Sequence, residues 1–295
     1  MKRLTTILLT CSFCAVFFIA LERDSVSMNL AENASYFNKQ PFGKSAIGSL
    51  MSDHEAFAVE IPLMGPKGST KINLLSWNTW ARGSRGGFDD NTPGFSLRKE
   101  PNADQRISNN FSQIKNFMNS NKNSLVCLQE ISKADLVKLT SLGDNIVAQC
   151  SVTFGESFNN CILYKSTEFT PDAKISSDDI GVINNIKTHA DANQKNRYQH
   201  LALINTQTLG AVDIINVHLK WHSDPDAIIN ALNTYLSTCK KTCIITGDFN
   251  KNLSEAQVAI NQATKVVYEK GSVSATADKT RKENSTDAVV YKESK

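Results

Sequence analysis

The sequence contains no run of lysine and arginine of the kind that forms a nucleic-acid-binding arm, and it contains no internal repeat. The first absence excludes a basic tail as the main binding element, and the second excludes solenoids and propellers. No cysteine pair has the Cys/His spacing of a structural zinc site. The 295 residues are 41% hydrophobic and 21% charged, which is typical of a globular protein and excludes disordered and fibrous classes. The net charge of +3 is compatible with a polyanionic substrate.

The N-terminus has the pattern of a targeting segment. Lys2 and Arg3 precede an apolar stretch that ends at Ala20, and charged residues follow it. A positive start, an apolar centre and a polar exit are typical of a secretory signal peptide, which is removed from the mature protein. An uncleaved membrane anchor is the alternative, because the apolar stretch approaches the length of a transmembrane helix. We therefore expect residues 1–20 to direct the protein to the periplasm or the exterior.

The cysteines beyond this segment fall into two groups. Cys127 lies within an apolar strand, which predicts a buried thiol that behaves as a small hydrophobic side chain. Two later pairs, Cys150 with Cys161 and Cys239 with Cys243, can close as disulfides in an oxidising compartment. The sequence alone leaves both pairings open.

The composition changes near residue 71. Residues 21–70 contain several glycines and prolines with weak periodicity, which indicates a linker-like or loosely docked extension. Residues 71–295 alternate apolar strands with amphipathic helices, including one that begins near Asp104 and one that begins at Pro225. Hairpin-like strand pairs together with helical crossovers predict mixed β-sheets covered by helices.

Five short stretches place an Asn, Glu, His or Asp at the edge of an apolar strand. They are Ser76–Thr79, Leu128–Glu130, Asn216–Leu219, Thr246–Asn250 and Ser285–Val290. Each stretch taken singly has an ordinary explanation as a strand end, a core histidine or a turn residue. Because a packed scaffold presents such residues from neighbouring strand ends and loops, we expect them to contribute to one site.

The residue types in these stretches suit the hydrolysis of phosphodiesters. A hard cation such as Mg²⁺ prefers oxygen ligands, and Glu130 is the natural carboxylate to hold it, with Asn78 as support for the metal or for Glu130. Asp248 can orient and deprotonate the attacking water. Asn250 can donate an amide N–H to a phosphate oxygen, and His218 can stabilise the charge that develops on the phosphate.

The order Trp-Asn, Gln-Glu, Val-His-Leu, Gly-Asp-Phe-Asn and Thr-Asp-Ala-Val-Val resembles the motif order of the endonuclease/exonuclease/phosphatase superfamily, which includes DNase I-like enzymes. The resemblance covers residues 71–295. It implies an α/β fold, a four-layer α/β sandwich with two central mixed β-sheets flanked by helices. It also implies a hydrolase that depends on Mg²⁺ or Mn²⁺.

The resemblance also implies a role for each matching residue. Asn78 and Glu130 would serve the metal. His218 and Asn250 would contact the phosphate, while Asp248 would orient the nucleophilic water.

Two further positions complete the implied site. Asp287 would support a catalytic histidine, and Arg197 lies where the family often places a phosphate-contacting residue, although a solvated surface arginine is the alternative. The family pattern continues to a Ser-Asp-His motif and another apolar strand, which do not follow Asp287, so we expect an incomplete C-terminal sheet edge. The alternatives are a truncated and weakened enzyme, substitution by another histidine (His222, His200 or His189), and a fold kept for binding.

These observations lead to one main functional prediction and two alternatives. We expect a secreted, Mg²⁺-dependent phosphodiester hydrolase, a nuclease with DNA or RNA as its substrate partner and with no stable membrane association after signal cleavage. A phosphatase or phospholipase acting on inositol phosphates or sphingomyelin is the second possibility. A catalytically impaired binding module of the same fold is the third.

Overall fold

The computed structural model describes residues 56–79, 103–151, 159–172, 198–219, 225–249, 263, 265–268 and 287–294, so the predicted signal segment lies outside it. No helix within these ranges is long and apolar enough to cross a membrane. The elements in chain order are β1 (Phe57–Gly65), β2 (Gly68–Asn78), α1 (Ala103–Ser120), β3 (Ser124–Ile131), α2 (Lys133–Thr140), β4 (Ile146–Cys150), β5 (Asn159–Lys165), β6 (Phe169–Pro171), β7 (Tyr198–Asn205), β8 (Ala211–His218), α3 (Pro225–Thr238), β9 (Thr242–Asp248), β10 (Lys265–Tyr268) and β11 (Asp287–Lys292).

The strands form two mixed sheets. The first sheet has the order β1-β2-β3-β5-β4, and the second has the order β10-β11-β9-β8-β7-β6. Each sheet contains one parallel pair, β2 with β3 and β8 with β9, and its other pairs are antiparallel. A parallel pair needs a crossover connection, and α1 and α3 lie in the two connections concerned. The predicted pair of mixed sheets is confirmed.

Three buried apolar clusters define the layers. One lies between the two sheets and contains Leu74 and Ile214. The second joins α1 to the outer face of the first sheet through Ile114, and the third joins α3 to the outer face of the second sheet through Leu236. The order of layers is therefore helix, sheet, sheet, helix, which is the predicted four-layer sandwich.

Burial on both faces explains why the central strands read as continuous apolar runs. In β3, Leu125 and Cys127 face the second sheet, whereas Val126 and Leu128 face α1. Cys127 is confirmed as a buried free thiol, and burial raises its pKa, which keeps the sulfur protonated and unreactive.

Both cysteine pairs form disulfides in the structure. Cys150 and Cys161 are directly opposed in the β4–β5 pair, with their Cα atoms 4.1 Å apart. Cys239 and Cys243 join the segment after α3 to the start of β9. The two bridges therefore tie neighbouring elements in each half of the sandwich.

The folded unit begins earlier than the predicted boundary at residue 71. β1 pairs with β2 along its whole length, from Phe57 opposite Ser76 to Gly65 opposite Gly68, and Ile61 is fully buried between the sheets. Residues 57–70 are thus sheet and not linker. Gly65, Pro66 and Gly68 belong to a tight turn, and Pro62 belongs to an edge strand, where proline is tolerated. These residues weaken the strand pattern in the sequence.

The predicted incomplete edge at the C-terminal strand also needs correction. β11 lies between β9 and β10, so it is not an edge strand. The edge is β10, a strand of four residues that the sequence pattern did not indicate. A short edge strand limits the unpaired backbone that the sheet presents.

Candidate active site

Four of the predicted site residues meet at one end of the sandwich. Asn78 donates from Nδ2 to Glu130 Oε1 at 3.3 Å and to Asp248 Oδ2 at 3.2 Å. His218 Nε2 lies 3.7 Å from Glu130 Oε1 and 3.5 Å from Asp248 Oδ2. Two of these residues belong to the first sheet and two to the second, because the carboxyl ends of both parallel pairs reach the same end of the molecule. The site is therefore assembled across the gap between the sheets.

Gly247 allows the close approach that puts Asp248 beside His218. Its φ is 132°, and a Cβ atom at this position would overlap the carbonyl oxygen of Val217 on the neighbouring strand. The backbone then continues with Leu219 N donating to Asp248 O at 2.8 Å. Gly247 thus permits a tight exit from β9 at Asp248.

The side chain of Glu130 reaches the site through an unusual backbone conformation. In a regular strand Gln129 and Glu130 would point to opposite faces of the sheet. Glu130 has a φ of 60°, and the β3–β5 register shifts between Leu128 and Ile131. This left-handed turn brings the Glu130 carboxylate to Asn78, at a cost of about 1–3 kcal/mol that the surrounding structure must offset. The Leu-Gln-Glu motif did not reveal this conformation.

Burial divides the cluster into an inner part and an accessible part. Asn78 and Asp248 are 0% and 1% exposed, and His218 is 4% exposed. The side chain of Glu130 is 15% exposed, the highest value of the four. Glu130 is therefore the member of the cluster best placed to meet an incoming cation, while the others hold their orientation within the protein.

Asp287 lies beside the cluster on the neighbouring strand. It is buried and directly opposes Asp248 in the antiparallel β9–β11 pair, so the two side chains lie on the same face of the sheet. The sequence prediction of Asp287 as a site residue is therefore compatible with its position. Its support of a catalytic histidine stays a prediction.

The remaining predicted positions divide into two groups. Arg197 and Asn250 lie outside the described residues, as do the alternative histidines His189 and His222. His200 is described and does not serve as a substitute in the site. Its Nε2 lies 2.5 Å from Asp213 Oδ1, on the face of the second sheet that packs against α3.

One arginine that supports the site was not predicted from the sequence. Arg106 on α1 is buried, and its Nη1 donates to Thr79 O at 2.8 Å. Thr79 also donates to Gln129 O from its backbone N at 3.1 Å and from Oγ1 at 3.0 Å. These bonds tie the end of β2, and hence Asn78, to β3. An arginine beside the apolar stripe of a helix resembles a solvated residue, so the sequence carried no signal for this role.

The donor set suits a hard divalent cation. No group of three or more His, Cys, Asp and Glu side chains in the described ranges would hold a metal by itself. Mg²⁺ is commonly bound through one or two carboxylates and retains several waters, so it does not need such a group. The accessible carboxylate of Glu130, linked to the carboxylate of Asp248 through the amide nitrogen of Asn78, fits Mg²⁺ or Mn²⁺.

No protein-family model and no curated protein matches the sequence. Among solved structures, the chain is similar to an endonuclease/exonuclease/phosphatase family protein from Bacteroides thetaiotaomicron, at 10% identity and a TM-score of 0.48 over 79% of this chain and 83% of that one. It is also similar to TDP2 from D. rerio complexed with single-strand DNA product, at 13% identity and a TM-score of 0.47 over 75% and 84%. A third similar structure is a mannosyl-6-phosphatase from Bacteroides thetaiotaomicron, with 9% identity and a TM-score of 0.43 over 63% of this chain and 77% of that one. At these values the likeness is one of general architecture, so an activity must be inferred from the site.

Proposed function

We propose that the protein is an exported, divalent-cation-dependent phosphodiester hydrolase that acts on nucleic acid. The observation that carries this proposal is the contact of the Asn78 amide with two carboxylates, those of Glu130 and Asp248, with His218 beside both. A carboxylate for a cation, a carboxylate for water and a donor for phosphate then lie within one cluster.

The residues divide the chemistry of hydrolysis among them. Asp248 accepts a proton from a water molecule whose oxygen forms a bond to phosphorus. The ester P–O bond breaks, and the leaving oxygen takes a proton from solvent to give an alcohol. His218 donates a hydrogen bond to a phosphate oxygen and offsets the charge that develops there. A bound Mg²⁺ held by Glu130 would polarise a phosphoryl oxygen.

Nucleic acid is the substrate that we favour. The net charge of +3 does not oppose the approach of a polyanion, and the site chemistry suits a diester. The proposed export rests on the N-terminal pattern of Lys2, Arg3 and the apolar stretch that follows.

The test is cleavage of plasmid DNA and of RNA by the 295-residue chain, with Mg²⁺ or with EDTA. We expect cleavage only with the cation, and a loss of about 1,000-fold or more in Asp248→Asn. Asp213→Asn is the matched control, because Asp213 is an equally buried carboxylate of the second sheet outside the site. It should retain activity at a temperature where circular dichroism shows it folded.

Equal cleavage in EDTA, or full activity of Asp248→Asn, would contradict the proposal. A folded wild type that cleaves neither nucleic acid would direct the next assays to inositol phosphates and sphingomyelin. Binding of these phosphoesters without turnover would indicate a binding module.

A further inference from the structure

Three buried amide side chains link the two sheets directly beneath the candidate site. Gln129 Nε2 donates to Asn216 Oδ1 at 2.7 Å. Asn216 Nδ2 donates to Leu128 O at 2.9 Å and to Cys161 O at 3.0 Å, and Asn160 Nδ2 donates to Asn216 O at 3.1 Å. Asn216 belongs to the second sheet and its partners to the first. We call Gln129, Asn160 and Asn216 the site-end amide cluster.

Two members of the site-end amide cluster lie within two residues of site residues along the same strands. Gln129 immediately precedes Glu130 and is the register partner of Asn78 in the β2–β3 pair. Asn216 lies two residues before His218 on the same face of β8. Any sliding of one sheet over the other would therefore change the cluster and the site together.

Hydrogen bonds supply the directional restraint that apolar contacts lack. The core between the sheets is otherwise largely apolar, and apolar burial is non-directional, so it tolerates small displacements. A buried amide tolerates them poorly, because a displaced donor or acceptor finds no water to replace its partner. The cluster therefore favours one relative position of the sheets.

We propose that the site-end amide cluster is a positioning device that sets the sheets relative to each other so that Asn78 reaches Asp248. Its consequence for turnover rests on the proposed function. Its effect on the contact between Asn78 and Asp248 does not depend on any substrate, so the two can be tested separately.

The opposite end of the sandwich provides a matched control. Asn205, at the end of β7 in the second sheet, is as fully buried as Asn216. Its Nδ2 donates to Oδ1 of Asn123, just before β3 of the first sheet, at 2.9 Å. Its Oδ1 accepts from Thr208 N at 2.9 Å and from Thr208 Oγ1 at 3.0 Å. Asn205→Leu thus removes a comparable amide hub far from the site.

The first experiment measures the coupling between Asn78 and Asp248 by urea unfolding. Double-mutant cycles with Asn78→Ala and Asp248→Ala are run in the wild-type, Asn216→Leu and Asn205→Leu backgrounds. We expect the coupling energy to be similar in wild type and Asn205→Leu, and to fall by about threefold or more in Asn216→Leu. If Asn216→Leu does not fold, Gln129→Met gives the same comparison, because it removes the 2.7 Å bond to Asn216 and otherwise only a 3.3 Å bond from the same nitrogen to Cys127 O within the first sheet.

Absence of coupling in the wild type, or equal coupling in all backgrounds, would overturn the positioning role. The second readout is hydrolysis of bis(p-nitrophenyl) phosphate with Mg²⁺. We expect kcat to fall about tenfold or more in Asn216→Leu with KM within about twofold, and Asn205→Leu to keep both values within about twofold. If the coupling falls in Asn216→Leu as expected but the wild type shows no hydrolysis, the result would contradict the proposed function and leave the positioning role supported.

Discussion

Asn78 Nδ2 lies 3.2 Å from Asp248 Oδ2, although the two residues are 170 positions apart in the chain and belong to different sheets. The same amide nitrogen is 3.3 Å from Glu130 Oε1. One neutral donor therefore stands between two carboxylates that would otherwise face each other across the gap between the sheets. This arrangement makes Asn78 an organising residue of the site.

Replacing Asn78 by leucine tests whether its amide organises the site, beyond the packing of its side chain in β2. Asn78→Leu leaves Glu130 and Asp248 without their shared donor, so we expect a loss of stability of about 1–3 kcal/mol. Misplacement of the two carboxylates should reduce kcat about 100-fold. The control is Asn73→Leu, in the same strand, whose amide donates to Lys122 O at 2.8 Å, away from the site. Urea unfolding and phosphodiester hydrolysis measure the two effects, and similar losses of kcat in both variants would contradict the prediction.

Gly247 should not tolerate a side chain. Gly247→Ala combines a φ of 132° with overlap of the new Cβ and the carbonyl oxygen of Val217, so we expect a loss of at least about 2 kcal/mol and a displaced Asp248. Gly143→Ala is the control, because its Cβ would meet only the side chains of Ile146, at 3.4 Å, and of Asn145, at ordinary contact distance. That variant should change stability by less than about 1 kcal/mol. Urea unfolding of both variants measures these two changes in stability.

Asp213 should contribute stability that disappears in acid. Burial alone would raise the pKa of this carboxyl, but hydrogen bonds from His200 and Tyr235, with the charges of His200 and Lys241, lower the pKa below its ordinary value. A lowered folded-state pKa contributes stability above the unfolded-state value of about 4, and that contribution is lost as the pH falls through the folded-state value. Asp213→Asn should therefore be less stable than wild type at pH 7, and the difference should shrink below about pH 4. A difference that stays constant through acid pH would contradict this linkage.

The two disulfides should contribute unequally. Cys150 and Cys161 are 11 positions apart, whereas Cys239 and Cys243 are 4 apart. The loop-entropy model then gives about 3 kcal/mol for the first bridge and about 2 kcal/mol for the second. Paired serine variants of each bridge, compared by urea unfolding, should show the larger loss for Cys150→Ser with Cys161→Ser. The reverse order would indicate that local packing, and not loop closure, governs their effect.

Some of the site was predictable from the sequence because strand ends carry their own local signals. An apolar run that stops at Asn78, Glu130, His218 or Asp248 marks a position where a side chain leaves the core. Parallel pairs bring such ends to one edge, and in the structure these four residues lie within 3.7 Å of at least one other member of the group. The roles of Arg106 and of the site-end amide cluster were not predictable, because a buried polar residue resembles an exposed one until its partners are known.

The sequence by itself determined the types of the central elements and the local features of the strand exits. The apolar runs of β3 and β9, the amphipathic stripe of α1 and the glycine before Asp248 depend on neighbours a few positions away. Only the tertiary structure decided that β1 completes the first sheet, that β11 lies inside the second, and that Glu130 turns toward Asn78. These outcomes depend on contacts between residues far apart in the chain, and the energy of such contacts exists only once both sheets are packed together.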